Sequence, residues 1–415
     1  MEIIKDVKIR NYKGLEEVQF PCGSVNILIG PNNTGKSSIL ESIFMSISSL
    51  NHFKDIVETD LSEICNMEVE ELKYFIHKEN KNSTVDIELS DKNRLSLEIL
   101  YSKEGYPQEV ADVFSNFIDR VSIEDSSDSN YRVPPRMRLF GGNNDLSKDL
   151  RLLDKLLQKD DLSKNLDSEK EKLFKIISQK QNALIDEYRN DMMKSEKLFL
   201  ISKLNDNQIA MHVTMDNYDE EIPESGDKKL SYNIPLIVSA PKINSLMSSL
   251  YGQMVKKKKL RKVLDRLKNR DTDFEEINEV DDNYFVTLEN VNESIPLSFM
   301  GDGFRALLKL SFMASLAKNG IVLFEEPETS MHPKYMDILA KEIIINSDEA
   351  QFFISTHSLE LLELILQKAE KVDKLESVKI LKLRRFPEGF IEREILSGKE
   401  AKEEMESIKT DLRGR

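Results

Sequence analysis

Apolar and polar positions along this chain fall into three kinds of pattern. Val25-Asn26-Ile27-Leu28-Ile29, Ile321-Val322-Leu323-Phe324 and Phe352-Phe353-Ile354 are compact apolar runs. Such runs predict strands buried on both faces. Val85-Asp86-Ile87-Glu88-Leu89 and Leu95-Ser96-Leu97-Glu98-Ile99 alternate instead, and similar alternation returns at Gln208 to Met215 and around Leu236 to Ser239. Alternation predicts antiparallel strands with one wet face. Val7 to Ile9 and Val18 to Phe20 read as short strands joined by the turn-like Asn11-Tyr12-Lys13-Gly14. Val378 to Leu383 and Phe390 to Ile395 read as edge strands.

Helical spacing is the third pattern. It follows the first compact run from Ser38 to Leu50 and returns at Gly303 to Lys318, Lys334 to Ile345 and Leu359 to Ala369. Two helical stretches lie in the middle of the chain. Leu146 to Leu200 is highly charged, with one stripe at Leu150, Leu153 and Leu157 and another at Leu173, Ile177, Leu184, Tyr188 and Met192. Two helices fit this stretch, as a projecting hairpin arm or as a packed subdomain. Ile243 to Leu267 is the second; from Lys256 to Arg270 nine residues are basic and only Asp265 is acidic.

The implied fold class is α/β, a mixed core sheet flanked by helices, with an antiparallel β lobe and helical insertions. The expected divisions are 1–145 for the first part of a head and its β lobe, 146–205 for a helical insertion, 206–241 for return strands, 242–272 for the helical insertion with the basic helix, and 273–415 for the rest of the head.

Composition narrows the chemistry. The 415 residues carry 59 Lys and Arg against 74 Asp and Glu, a net charge of −15. A chain coated in nucleic-acid-binding basic surface is thereby disfavoured, although a local patch is not, because binding follows the local field. The Lys256–Arg270 run is such a patch; it suits DNA phosphates or an acidic partner, and equally a solvated helix face. Cys22 and Cys65 are the only cysteines, so neither a disulfide framework nor a Cys-based zinc site is expected, and the chain reads as cytoplasmic. The N-terminus lacks the apolar core of a signal peptide, and no stretch is long and apolar enough to suggest a membrane span.

Four short motifs carry chemistry. Gly30-Pro31-Asn32-Asn33-Thr34-Gly35-Lys36-Ser37 fits GxxxxGK[ST] between a predicted strand and a predicted helix. Backbone amides of such a loop cradle phosphates, Lys36 reaches the β- and γ-phosphates, and the Ser37 hydroxyl ligates Mg²⁺. Phe324-Glu325-Glu326-Pro327-Glu328 ends a buried strand; Glu325 there suits the metal and Glu326 the attacking water. Standing alone, the same residues would read as an acidic turn. Ser355-Thr356-His357-Ser358 ends a second core strand, where His357 can donate a hydrogen bond to a γ-phosphate. Met300-Gly301-Asp302-Gly303 opens a helix, where free amides can face an anion, although a simple glycine turn would look the same.

In this order the motifs resemble the ABC-type ATPases of the SMC, RecF and overcoming-lysogenisation-defect (OLD) kind. The likeness covers the first fifty residues and roughly Ile295 to Glu360. It implies nucleotide binding by Asn33, Thr34, Gly35, Lys36, Ser37 and Ser38, and an approach of Lys13 to the nucleotide. Glu325-Glu326-Pro327-Glu328 with Met331-His332-Pro333 is similar to the Walker B and D-loop run of the OLD-like branch, with His332 in place of the D-loop aspartate. Met300 to Phe304 stands at the signature, with Gly301 in place of its serine. The resemblance implies ATP and Mg²⁺ as ligands and a head-to-tail homodimer in which Gly301 and Gly303 complete the partner's site.

OLD proteins also carry a TOPRIM nuclease. Only Asp373 and Asp411 are aspartates among the residues after His357, so no such domain is expected, and a nuclease would be a separately encoded partner. Two rivals remain. One is a P-loop GTPase or small-molecule kinase; a GTPase would show Asn-Lys-x-Asp, and Asn80-Lys81-Asn82-Ser83 fails at its last position, while a kinase would lack the signature and switch pair. A slow-turnover scaffold that restrains an effector without touching DNA fits the acidic balance.

Overall fold

The computed structural model describes residues 1–48, 73–78, 80, 82–103, 196–215, 218–223, 234–239, 247–268, 273–281, 283–289, 291–386 and 391–408. The chain divides into two compact units, Met1–Ile99 with Leu200–Met211 and Pro223–Arg415, and Leu100–Phe199 with His212–Ile222. The helices expected between Leu146 and Met192 lie outside the described residues.

The first unit holds two large sheets and one small one. β1 (Ile4–Tyr12) pairs antiparallel with β2 (Leu15–Pro21) and with β4 (Asn82–Leu89). The first-unit parts of β5 (Arg94–Ser102), β6 (Lys197–Leu204) and β7 (Asn207–Met215) continue this lobe in the order β2-β1-β4-β5-β6-β7. Ile4, Val7 and Ile9 of β1 meet Val85, Ile87 and Leu89 of β4 on the buried face, as the alternation demands. The turn at Lys13-Gly14 is tight, and Asn11 and Lys13 both take left-handed backbone angles. In the second unit, β8 (Tyr218–Pro223) is extended, and burial, then a hydrogen bond and charge from Glu196, push the Tyr101 hydroxyl up to about 12.

The core sheet joins distant parts of the sequence. β3 (Val25–Ile29) lies between β14 (Ala350–Thr356) and β15 (Val378–Arg385); β13 (Gly320–Glu325) and β9 (Leu236–Ser239) follow on the β14 side. These five are parallel, and β16 (Ile391–Ser397) closes the β15 side antiparallel. All five β3 residues are buried, because both faces are covered. Val25, Ile27 and Ile29 enter the cluster with α4 (Asp302–Leu316), α5 (Pro333–Asn346) and α6 (Leu359–Glu370). α1 (Lys36–Ser48) touches strands of both sheets and is buried almost all round, including Ser42 and Ser46, whose hydroxyls donate back to Ile39 and Ser42 carbonyls.

α2 (Met247–Lys256) and α3 (Leu260–Lys268) pack through Leu250, Met254, Val263 and Leu267 into that same cluster. A small sheet of β10 (Phe274–Val280), β11 (Asn283–Leu288) and β12 (Ile295–Pro296) precedes α4, and α7 (Gly398–Ile408) follows β16.

Four expectations are corrected. Residues 197–204 are strand, not the end of a helix, because Leu198-Phe199-Leu200-Ile201 is an apolar run buried on both faces. Leu236–Ser239 is a parallel strand of the core sheet, not a wet antiparallel one; Leu-Ile-Val is a run rather than an alternation. Val378–Arg385 is interior, since β3 and β16 pair with its two sides, and of the two strands expected at an edge β16 alone lies at one. The Ile243–Leu267 stretch breaks at Lys257–Lys259, where Lys258 turns left-handed, and four consecutive lysines crowd like charge into one turn.

Candidate active site

Parallel register brings the motifs to one edge. Ile29 is opposite Thr356, and Ser355 is opposite Glu325, so Gly30, His357 and Glu326 leave the carboxyl ends of three adjacent strands. Two strand spacings separate the outer two, about 10 Å. Carboxyl ends of parallel strands are where open α/β sheets bind ligands.

The loop from Gly30 to Gly35 is braced from within. Gly35 has φ 88, a conformation strained for any other residue, and a Cβ there would also press on Leu15 Cδ2 at 2.4 Å. Asn33 is left-handed at the exposed tip, and its carbonyl accepts from Arg385 at 3.3 Å. The Thr34 hydroxyl donates to the Pro31 carbonyl at 2.9 Å. Lys36 is 5% exposed, and its ammonium donates to the carbonyls of Gly30 at 3.0 Å and Pro31 at 2.8 Å. Burial pushes its pKa down to about 8, while Glu326, Glu325 and Glu328 act against that fall. Ser37, on the first turn of α1, is exposed, and Ser38 is half-buried.

Glu325 is the last residue of β13, and Glu326 follows with a left-handed φ of 43. That conformation costs a non-glycine residue about 1 kcal/mol or more, and such strain concentrates at functional sites. The Glu326 amide donates to the Ser355 carbonyl at 2.9 Å, and its Oε1 lies 2.8 Å from His357 Nε2. The water-activating acid and the sensor histidine expected from sequence are thus in contact. Glu328, given no role by the sequence, holds the histidine's loop. Its Oε1 accepts from the Thr356 hydroxyl at 2.6 Å and the His357 amide at 3.0 Å. Its spacing after Glu325 and Glu326 was the only signal.

Ser37 and Glu325 are hard oxygen donors, which suit Mg²⁺. Among the described residues no three His, Cys, Asp or Glu converge on a metal. Mg²⁺ held largely by phosphate oxygens and water asks for no more.

The remaining expected residues are placed differently. The Lys13 ammonium is held by Glu41 of α1 at 2.7 and 2.5 Å and lies 4.4 Å from the Phe75 ring centre, so it is engaged within its own subunit. Gly301 caps α4 and is open, with nothing near its absent side chain. Gly303 is buried, and a Cβ there would meet the Ser330 carbonyl at 2.6 Å. Its smallness serves close packing against the chain's own Ser330 and Met331. His332 is exposed and caps α5, its Nδ1 accepting from the Lys334 amide at 3.3 Å. In the basic run, Arg266 pairs with buried Glu342 and Lys259 reaches the Ser315 carbonyl; Lys256, Lys257, Lys258, Arg261, Lys262 and Lys268 stay exposed.

A phosphate loop, a strand-end carboxylate pair and a histidine in this strand order define an ABC-type P-loop ATPase head. The chain belongs to the AAA ATPase domain family, which matches residues 1–362. It is 21% identical over 406 residues to a Helicobacter pylori protein described as an ATP/GTP phosphatase, spanning 94% of this chain and 95% of that one. A match of 43% identity over 68 residues joins it to endonuclease GajA of Bacillus cereus, across 15% of this chain and 12% of GajA. The Smc head domain of Pyrococcus furiosus, solved with an extended coiled coil and the C-terminal domain of ScpA, aligns at a TM-score of 0.47 and 13% identity, over 99% of this chain and 100% of that one. Among the described residues no helix is long and apolar enough to cross a membrane.

Proposed function

We propose that this ATPase works as a head-to-tail homodimer that closes on ATP and opens after hydrolysis. The loop amides and Lys36 would hold the β- and γ-phosphates, exchanging the Gly30 and Pro31 carbonyls for phosphate oxygens. Ser37 and Glu325 would hold Mg²⁺, which supplies charge neutralisation at the phosphates. Glu326 orients the attacking water and takes its proton. His357, now on Glu326, turns its Nε2 toward the γ-phosphate when nucleotide enters. The open Gly301 end of α4 faces the partner's nucleotide. Opening and closing then gates a separately encoded effector, a nuclease in phage defence or DNA repair, in the cytoplasm. GajA's description as an endonuclease supports that class of effector, and the exposed lysines of α2 and α3 support DNA contact.

The contact of 2.8 Å between Glu326 and His357 carries this reading. Glu326→Gln tests it. The variant should bind ATP within a few-fold of the parent, lose turnover by about a hundredfold or more, and accumulate as an ATP-dependent dimer in sedimentation. Hydrolysis at the parental rate would refute the role of Glu326. A variant that stays monomeric with ATP would refute the dimer.

A further inference from the structure

A second basic surface lies between α5 and α6. The groove there has a volume of about 480 Å³. Ile338, Ile345 and Val372 line it together with Lys334, Lys341 and Lys371. Lys368 at its edge is spent on Asp337. The other three lysines have no ion pair among the described residues, and all three are exposed. Ile345 is 38% and Val372 52% exposed. On a chain of net charge −15, this is an apolar floor with a positive rim.

We infer that this groove docks an acidic, amphipathic helix of a partner protein. Lys334, Ile338, Lys341 and Ile345 follow helical spacing and so share one face of α5. From Lys334 to Ile345 the face is about 16 Å long, enough for about three turns of a docked helix. Carboxylates of the partner meet the lysines, and its apolar stripe covers Ile345 and Val372. Nucleic-acid phosphates would meet the lysines too but leave both aliphatic side chains wet, and the floor therefore favours a peptide.

The location gives the docking a consequence. α5 is capped by His332, which closes the loop that begins at Glu326, and α6 is capped by Ser358, next to His357. The groove walls are α5 and the C-terminal end of α6, the helices that follow the loops holding the Glu326–His357 contact. A helix wedged between them bears on that distance. The inference stands apart from the dimer and from the identity of the effector.

The test uses the full chain and a labelled three-turn peptide with leucines on one helical face and glutamates elsewhere. Fluorescence anisotropy should detect binding that weakens with added salt. The Lys341→Glu/Lys371→Glu double variant should bind about tenfold or more weakly, and so should Val372→Asp. A peptide with every Glu replaced by Gln should lose affinity to the same degree. ATP turnover without peptide should be unchanged in both variants. Absence of binding, or equal binding to parent and variants, would overturn the inference. So would a short DNA duplex that binds the parent, loses affinity in the double variant and ignores Val372→Asp, since phosphates would then be the natural ligand.

Discussion

Glu328 Oε1 accepts the Thr356 hydroxyl at 2.6 Å and the adjacent His357 amide at 3.0 Å, a single oxygen tying the loop after β13 to the loop after β14. Thr356 passes the restraint on, because its Oγ1 also accepts from the Ser358 amide at 2.9 Å. The histidine loop is thereby anchored to the strand end that carries Glu326.

Replacing Glu328 separates anchoring from chemistry. Glu328→Gln keeps a carbonyl oxygen for both donors and should retain most of the activity. Glu328→Ala leaves both donors without that oxygen and should cost about 1–3 kcal/mol of stability. It should also lower kcat more than it raises KM for ATP, because His357 rather than the phosphate loop is released. Steady-state phosphate release, alongside thermal unfolding, checks both variants. Equal rates in the two would remove Glu328 from a positioning role.

Arg266 holds α3 to α5. Its guanidinium donates to Glu342 at 2.7 and 3.0 Å and to the Ser315 hydroxyl at 3.0 Å, and Glu342 is only 1% exposed. Arg266→Ala strands a buried carboxylate and should cost about 3–5 kcal/mol. Removing both charges, as Arg266→Met with Glu342→Leu, should recover most of that loss. Chemical denaturation of the three proteins measures it. Arg261→Ala on the exposed side of the same helix should change stability by less than about 0.5 kcal/mol.

Lys36 sets a pH dependence. Its folded value near 8 lies below the ordinary lysine value of about 10.4. Between these two values the unfolded chain binds more protons than the folded one, so the stability of the nucleotide-free protein rises with pH across that window. Below pH 8 both states are protonated and the burial penalty is fully present. ATP phosphates favour the charged form, so ATP binding at pH 8 to 9 should take up a fraction of a proton, larger at the upper end. Calorimetry in two buffers of different ionisation enthalpy measures this, and Lys36→Arg should abolish it.

Much of the core was legible in the chain itself. Buried runs such as Val25–Ile29 and Ile321–Phe324 read as interior strands, and a phosphate loop between a strand and a helix needs little context. Short runs misled where length and neighbours decide. Leu236–Ser239 is too short for its period to separate an edge of a parallel sheet from an antiparallel strand, and Val378–Arg385 became interior only because β16 folds back beside it. The basic run was visible as charge, yet Arg266 has a buried partner 76 residues away in sequence, which no local pattern encodes.

What the sequence by itself determined is the inventory of the candidate site. Lys36, Ser37, Glu325, Glu326 and His357 follow from residue types at strand ends, because chemistry at phosphates needs amides, a cation and carboxylates in that setting. Tertiary structure alone decided which of them meet. The parallel register of β3, β14 and β13 brings Glu326 to His357, places Glu328 under the histidine loop, and buries Gly303 against Ser330. Contacts between residues tens to hundreds of positions apart depend on which strands pair. Pairing is settled by burial of the whole sheet, a property that no single segment carries.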